Sequence, residues 1–245
     1  MSSAFPLYLT VIFATFITAP LSILLSRPVS RIQWQYVGSA FLVFCVSCFF
    51  LILPFAFPAI QIGHLGWWTG KVLSIVATYS IIFSLDRASP ARSFMTLRQK
   101  SGSGSRSAVL VLLLLLLSAL NAFWNSDGGR PSLSGELLLF EATLPGIDEE
   151  AVFRAAFLGY LLAVSRQRGC HSPWNTVGAV ITNATLFGLM HAMNVDAAMH
   201  FHFNLSAFAF TGVVGAGLAL LTLNSGSILL PVIAHNLTNL VGILL

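Results

Sequence analysis

Charge is what this 245-residue chain has least of. Charged side chains make up 8% of it against 56% apolar ones, and only eight residues are acidic. A soluble domain carries about 25% charged residues, so a soluble globular fold is excluded, and the mean hydropathy of +0.85 agrees. The few basic residues do not interleave with aromatics, which argues against nucleic acid as a partner. Three cysteines give no disulfide framework. Cys45 and Cys48 lie inside an apolar run and read as small buried thiols, and Cys170 reads as a free thiol in a loop. Several membrane-protease motifs are also missing. There is no H-E-x-x-H to supply two zinc ligands and a base, no Gly-x-Ser-Gly for a serine nucleophile, and no Gly-x-Gly-Asp for paired aspartates.

Long hydrophobic runs are what the chain does have. Crossing a hydrocarbon core takes about 20 helical residues. Runs of that size cover 5–26, 37–60, 66–85, 107–125, 147–165, 175–193, 204–223 and 227–245. The expected fold is an all-α polytopic membrane protein of about eight transmembrane helices. Met1–Phe5 carries no basic residue, so 5–26 is expected to be a retained first helix rather than a cleaved signal. Pro54 and Pro58 predict a kink or an early end in the second run.

The loops orient these spans. Arg27 and Arg31, then Arg87, Arg92, Arg98, Lys100 and Arg106, then Arg166 and Arg168 fall in alternate connections. The opposite set holds only Lys71 and Arg130, and Arg154 lies within a span. The positive-inside rule places the basic loops in the cytoplasm and both termini outside. Three regions follow: 1–125 with four spans and a basic loop at 86–106, an outer loop at 126–146 containing Gly128, Gly129, Pro131 and Pro145, and 147–245 with the last four spans. The Ser-Gly alternation at 101–105 reads as a flexible part of the basic loop.

Three of the eight acidic residues, Asp148, Glu149 and Glu150, crowd the start of the fifth span. An ionised group at the centre of a membrane helix costs about 2.5–3.5 kcal/mol on insertion scales, so these charges need a reason. Glu150 and Arg154 are i,i+4 neighbours and can pair. Glu149 points about 100° away. It lacks a cationic partner on its own helix, and low dielectric then favours its neutral form, which suits a general base that activates water. An acidic helix N-terminus after Pro145-Gly146 in the headgroup region explains the same residues without chemistry. His191 ends the sixth span, four residues after Phe187, and fits a structural or a catalytic role. His235 and Asn239 share one face of the eighth span, where hydrocarbon cannot solvate them. Interhelical hydrogen bonding would also account for the pair. His200 and His202, beside Asp196, read as a solvated outer loop and only weakly as a zinc pair.

Taken together, the three spans resemble the CPBP family of CAAX-processing-like and bacteriocin-processing (ABI) intramembrane endopeptidases. Its motifs are E-E-x-x-x-R, F-x-x-x-H and H-x-x-x-N on successive helices. They stand here as Glu149-Glu150-Ala-Val-Phe-Arg154, Phe187-Gly-Leu-Met-His191 and His235-Asn-Leu-Thr-Asn239. The resemblance covers about 145–245. It implies a glutamate-type protease whose catalytic half is the last four helices. Glu149 would be the base on a water also held by His191. His235 and Asn239 would donate to the oxyanion, and Glu150 with Arg154 would maintain geometry and charge. No cofactor or metal is required, with zinc a minor alternative. With the termini outside, all three motifs fall in the outer half of the membrane. That disfavours a prenylated cytoplasmic tail and favours a membrane-anchored or exported protein substrate at, on this reading, a prokaryotic cell membrane. A non-proteolytic immunity or scaffold role and a proton- or ion-coupled transporter are the competing functions. A transporter predicts repeated halves, and no repeat is visible.

Overall fold

The computed structural model describes residues 4–63, 65–125, 133–166 and 173–245. Expectations placed on Cys170, Arg168, Arg130, Gly128, Gly129 and Pro131 lie outside these residues. In order, the helices are α1 (Ala4–Ser26), α2 (Arg31–Ala56), α3 (Trp68–Ser84), α4 (Gly104–Trp124), α5 (Gly135–Glu150), α6 (Leu158–Arg166), α7 (Pro173–Ala192), α8 (Leu205–Ser225) and α9 (Leu229–Leu244). A π-helical stretch, Ala151–Phe157, joins α5 to α6 without a break. Counting that run once leaves eight helices among the described residues. Four of them, α1, α2, α4 and α8, are long and apolar enough to cross a membrane. The chain is an all-α protein whose helices suit a multi-pass membrane protein.

Local chemistry sets the helix ends. Ser30 and Gln33 form a capping box that starts α2 at Arg31, ahead of the apolar run. The Gln33 Nε2 also donates to the Val164 carbonyl at 3.0 Å, fastening α2 to α6. Pro54 is accommodated inside α2, which ends at Ala56, and Pro58–Ile60 follows as a single 3-10 turn.

Two segments differ from expectation. The outer loop assigned to 126–146 is helical from Gly135 onward, with the Ser134 hydroxyl capping the Leu137 N–H. Pro145 suggests a break because proline removes a ladder hydrogen bond. The break is repaired from outside the helix. Asn236 on α9 accepts from the Gly146 N–H at 2.7 Å through Oδ1 and donates to the Thr143 carbonyl at 3.1 Å through Nδ2. The second difference is the connection after α7. It folds back as a ribbon, β1 (Met193–Val195) antiparallel to β2 (Phe201–Phe203), with Asn194 opposite His202. Asp196 closes the turn, its Oδ1 accepting from the Ala198 and His200 N–H groups.

The core is aromatic. Phe44 on α2 meets Phe153 and Phe157 of the π-helical stretch edge-on, and Phe153 meets Phe187 on α7 at 5.1 Å between centroids. Outward faces carry large exposed apolar side chains, among them Phe16, Leu24, Leu42, Leu112 and Phe123. An apolar exterior around a core that contains buried charges fits hydrocarbon as the surrounding solvent.

Candidate active site

The π-helical stretch begins one residue after Glu150, so the acidic cluster sits where the helix changes pitch. Asn183 on α7 donates to the Phe153 carbonyl at 2.7 Å, and that carbonyl also receives the Leu158 N–H from five residues on. π-Bulges of this kind are frequent at functional sites. Here the wider turn faces Arg154 inward, fully buried together with Glu150.

Glu150 and Arg154 form an ion pair, Oε1 to Nη1 at 3.1 Å. The guanidinium donates through Nη2 to the Gly215 carbonyl at 3.2 Å and lies over the Phe187 ring, 4.4 Å from its centroid. Glu150 Oε1 also accepts from His235 Nδ1 at 2.7 Å. A carboxylate accepts hydrogen bonds and donates none, so Nδ1 carries the proton. The neutral His235 ring then presents a bare Nε2, and only the imidazolium presents an N–H there. His191 is fixed in the same way, its Nδ1 donating to the Phe187 carbonyl at 2.8 Å and its Nε2 left as an acceptor.

Both free ring nitrogens point at Glu149. His191 Nε2 lies 3.7 Å and His235 Nε2 3.8 Å from Glu149 Oε2. These separations are too long for direct hydrogen bonds, and a water seated beside the pair on the cavity side would contact both atoms. Glu149 Oε2 is buried and has no hydrogen-bond partner among the described residues. Its other oxygen is engaged by Lys71 on α3, Nζ to Oε1 at 2.6 Å.

Lys71 corrects two expectations at once. It is not an outer-loop residue but is buried within α3. It also supplies the cation that Glu149 lacks on its own helix, which removes the premise for a neutral-leaning Glu149. The same ammonium contacts Asp148 Oδ2 at 2.9 Å, and Asp148 Oδ1 accepts from the Ser74 hydroxyl at 2.5 Å. Gly70 brings α3 close enough: a Cβ there would collide with the Leu51 carbonyl of α2.

Glu149, His191, His235 and Asn239 line one cavity of about 560 Å³ together with Lys71, Asp148 and Glu141. Glu150 and Arg154 stand behind it and are not part of its wall. Asn239 reaches Glu141 on α5, Nδ2 to Oε2 at 2.8 Å. The remaining wall is largely apolar, including Phe44, Leu51, Trp67, Phe140 and Val214. His200 and His202 are elsewhere, both exposed and both on Asp196 Oδ2, at 3.2 and 3.0 Å. The His202 ring and the His200 N–H hold the Asp196 carboxyl below the usual aspartate range. Among the described residues no group of three or more His, Cys, Asp or Glu side chains is arranged to hold a metal ion.

Sequence reasoning assigns no site role to Lys71, Ser74, Glu141 or Asn236. Two of them left a signal. Lys71 is a lysine inside an apolar run, and Glu141 is an isolated acid in the stretch that leads to Glu149. The partners of Ser74 and Asn236 lie on other helices, and no spacing rule reaches them.

Residues 132–241 match a family model described as Type II CAAX prenyl endopeptidase Rce1-like. No curated protein and no solved structure matches the chain. The matched segment contains α5 through most of α9, and so every cavity residue named above except Lys71 and the apolar residues of α2 and Trp67.

Proposed function

We propose, on the premise that residues 132–241 are an Rce1-like domain of the type II CAAX prenyl endopeptidase family, a family of proteases, that this protein is an intramembrane endopeptidase acting through a glutamate-activated water. The observation that carries the proposal is the placement of Glu149 Oε2, buried, without a partner among the described residues and on the cavity wall beside two imidazole nitrogens at 3.7 and 3.8 Å.

The chemistry follows from the hydrogen-bond directions. A water in the cavity beside these atoms donates one hydrogen to Glu149 Oε2 and the other to His191 Nε2, which leaves its lone pairs toward a substrate carbonyl. As the water oxygen bonds to the carbonyl carbon, Glu149 takes its proton. The oxyanion accepts from His235 Nε2–H and from the Asn239 Nδ2–H not used by Glu141. His235 can donate there only as the imidazolium, because Glu150 already fixes a proton on Nδ1. When the C–N bond breaks, the proton on Glu149 passes to the leaving amine. No covalent intermediate forms.

The eight helices are read as eight membrane crossings, with both termini and the cavity opening on the non-cytoplasmic side. The asymmetry of the basic loops supports this orientation. The substrate class that follows is a membrane-anchored or exported protein cut near a hydrophobic segment, not a prenylated cytoplasmic tail. A reporter fused after Leu245 that reads cytoplasmic would reverse the orientation.

The test compares new protein termini in membranes expressing the wild type, Glu149→Gln or His235→Ala at equal levels. General-base catalysis contributes about 10²–10⁴-fold, so cleavage products present with the wild type should vanish with both variants. Products that persist in both rule out proteolysis by this site, and a physiological effect that survives both points to a non-enzymatic role.

A further inference from the structure

We infer that Lys71 is a positioning residue for Glu149, and that the working catalytic unit therefore extends beyond the matched domain to α3. The inference rests on the reading of Glu149 as the base.

Lys71 bridges two adjacent carboxylates of α5. Its Nζ contacts Glu149 Oε1 at 2.6 Å and Asp148 Oδ2 at 2.9 Å. Asp148 is anchored in turn by Ser74 on the next turn of α3, and Ser74 Oγ meets Ser47 Oγ of α2 at 2.7 Å. Gly70 sets the depth of α3 against α2. The lysine thus reaches from α3 to two adjacent carboxylates of α5, one of which is tied back to α3 and α2 through Ser74 and Ser47.

A carboxylate has two equivalent oxygens and rotates about its last bond. An ammonium locked on one oxygen removes that freedom. With Oε1 engaged, Oε2 is the atom left facing His191 and His235. The lysine therefore selects which oxygen receives the proton of water and aims its lone pairs. Charge compensation alone would need only a cation nearby. Positioning needs this ammonium at this point, because a reacting group displaced by about 1 Å costs about 100-fold in rate.

Two variants separate the roles. Lys71→Met/Asp148→Asn removes one cation and one anion, so net buried charge is unchanged. Lys71→Arg keeps the charge but replaces a point donor with a planar fork on a longer stem. The assay uses the full-length protein in lipid nanodiscs and a fluorogenic peptide spanning the strongest wild-type cleavage site from the terminal-peptide comparison. The double variant strips buried Glu149 of its cation, so it should melt below the wild type, and in the folded protein kcat falls about 100-fold while KM changes little. Lys71→Arg should melt near the wild type, with kcat down about tenfold. Wild-type kcat in a folded double variant overturns the inference, and so does wild-type kcat in Lys71→Arg should the double variant fail to fold. Glu149→Gln is the separate control. If it still cleaves, the base assignment fails whatever Lys71 does. If it is inactive while the Lys71 variants are fully active, only the positioning role falls.

Discussion

Replacing Arg154 by methionine should destabilise the fold far more than a typical point change. Arg154 and Glu150 are both completely buried, paired at 3.1 Å. Removing one partner of a buried pair costs about 3–5 kcal/mol, because the other charge is left without compensation. The lost hydrogen bond to the Gly215 carbonyl adds about 1 kcal/mol. For a chain of this size each kcal/mol moves Tm by about 2–4 °C, so a drop of about 10 °C or more is expected in detergent micelles. Glu150→Gln in the Arg154→Met background should recover much of that loss, since no buried charge remains unpaired. It should not recover activity. A glutamine amide can donate as well as accept, so the proton on His235 Nδ1 is no longer dictated. The measurement is a four-corner cycle of Tm and kcat across wild type, both single variants and the double. An Arg154→Met protein that melts within about 2 °C of the wild type would refute the buried-pair account, and a fully active double variant would refute the orienting role of Glu150.

Two further changes probe how the helices carry the site. A methyl group at Gly146 would lie 2.6 Å from both the Val232 carbonyl and Asn236 Oδ1. Gly146→Ala should therefore push α9 off α5, costing about 1–3 kcal/mol and lowering kcat because α9 carries His235 and Asn239; an unchanged Tm would contradict the close approach. Glu141 accepts from Asn239 Nδ2 and, as a carboxylate, fixes which end of that amide faces it. Glu141→Gln permits the flipped amide and should lower kcat about tenfold with little change in Tm, whereas Glu141→Asp should retain most activity; equal rates for Gln and wild type would mean that the orientation of Asn239 does not depend on Glu141.

How much of this was legible in the sequence depends on where each partner lies. The Glu150–Arg154 pair is a one-turn relation on one helix, and helical geometry alone anticipates it. The hydrophobic runs locate α1, α4, α7, α8 and α9 closely because length and apolarity are local properties. The start of α2 at Arg31 was hidden because it depends on a Ser30–Gln33 cap rather than on hydrophobicity. Helix α5 was hidden because the hydrogen bonds that carry it through Pro145 come from Asn236, 90 residues away along the chain. The same limit applies in the cavity. Periodicity puts His235 and Asn239 on one face but cannot say that Asn239 meets Glu141. The Arg and Lys distribution sorts loops but treats Lys71 as one more outer charge, although its partners are Asp148 and Glu149. Each gap is a contact between helices.

The two adjacent glutamates show why such contacts decide chemistry. Both have one oxygen engaged and one buried oxygen without a partner among the described residues. Their difference is position. Glu150 is enclosed between Arg154 and His235 and contributes nothing to the cavity wall, so no substrate atom reaches it. Glu149 is turned onto the wall, and its unpartnered oxygen lies opposite His191 and His235. An offset of one residue on a helix thus places one carboxylate behind the imidazole and the other in front of it. The rear carboxylate fixes the proton on His235 Nδ1, and in the proposed mechanism the front one meets water. On the proposed mechanism, exchanging the roles would require rotating the helix by about 100°, which Lys71 and Arg154, anchored on different sides, both oppose.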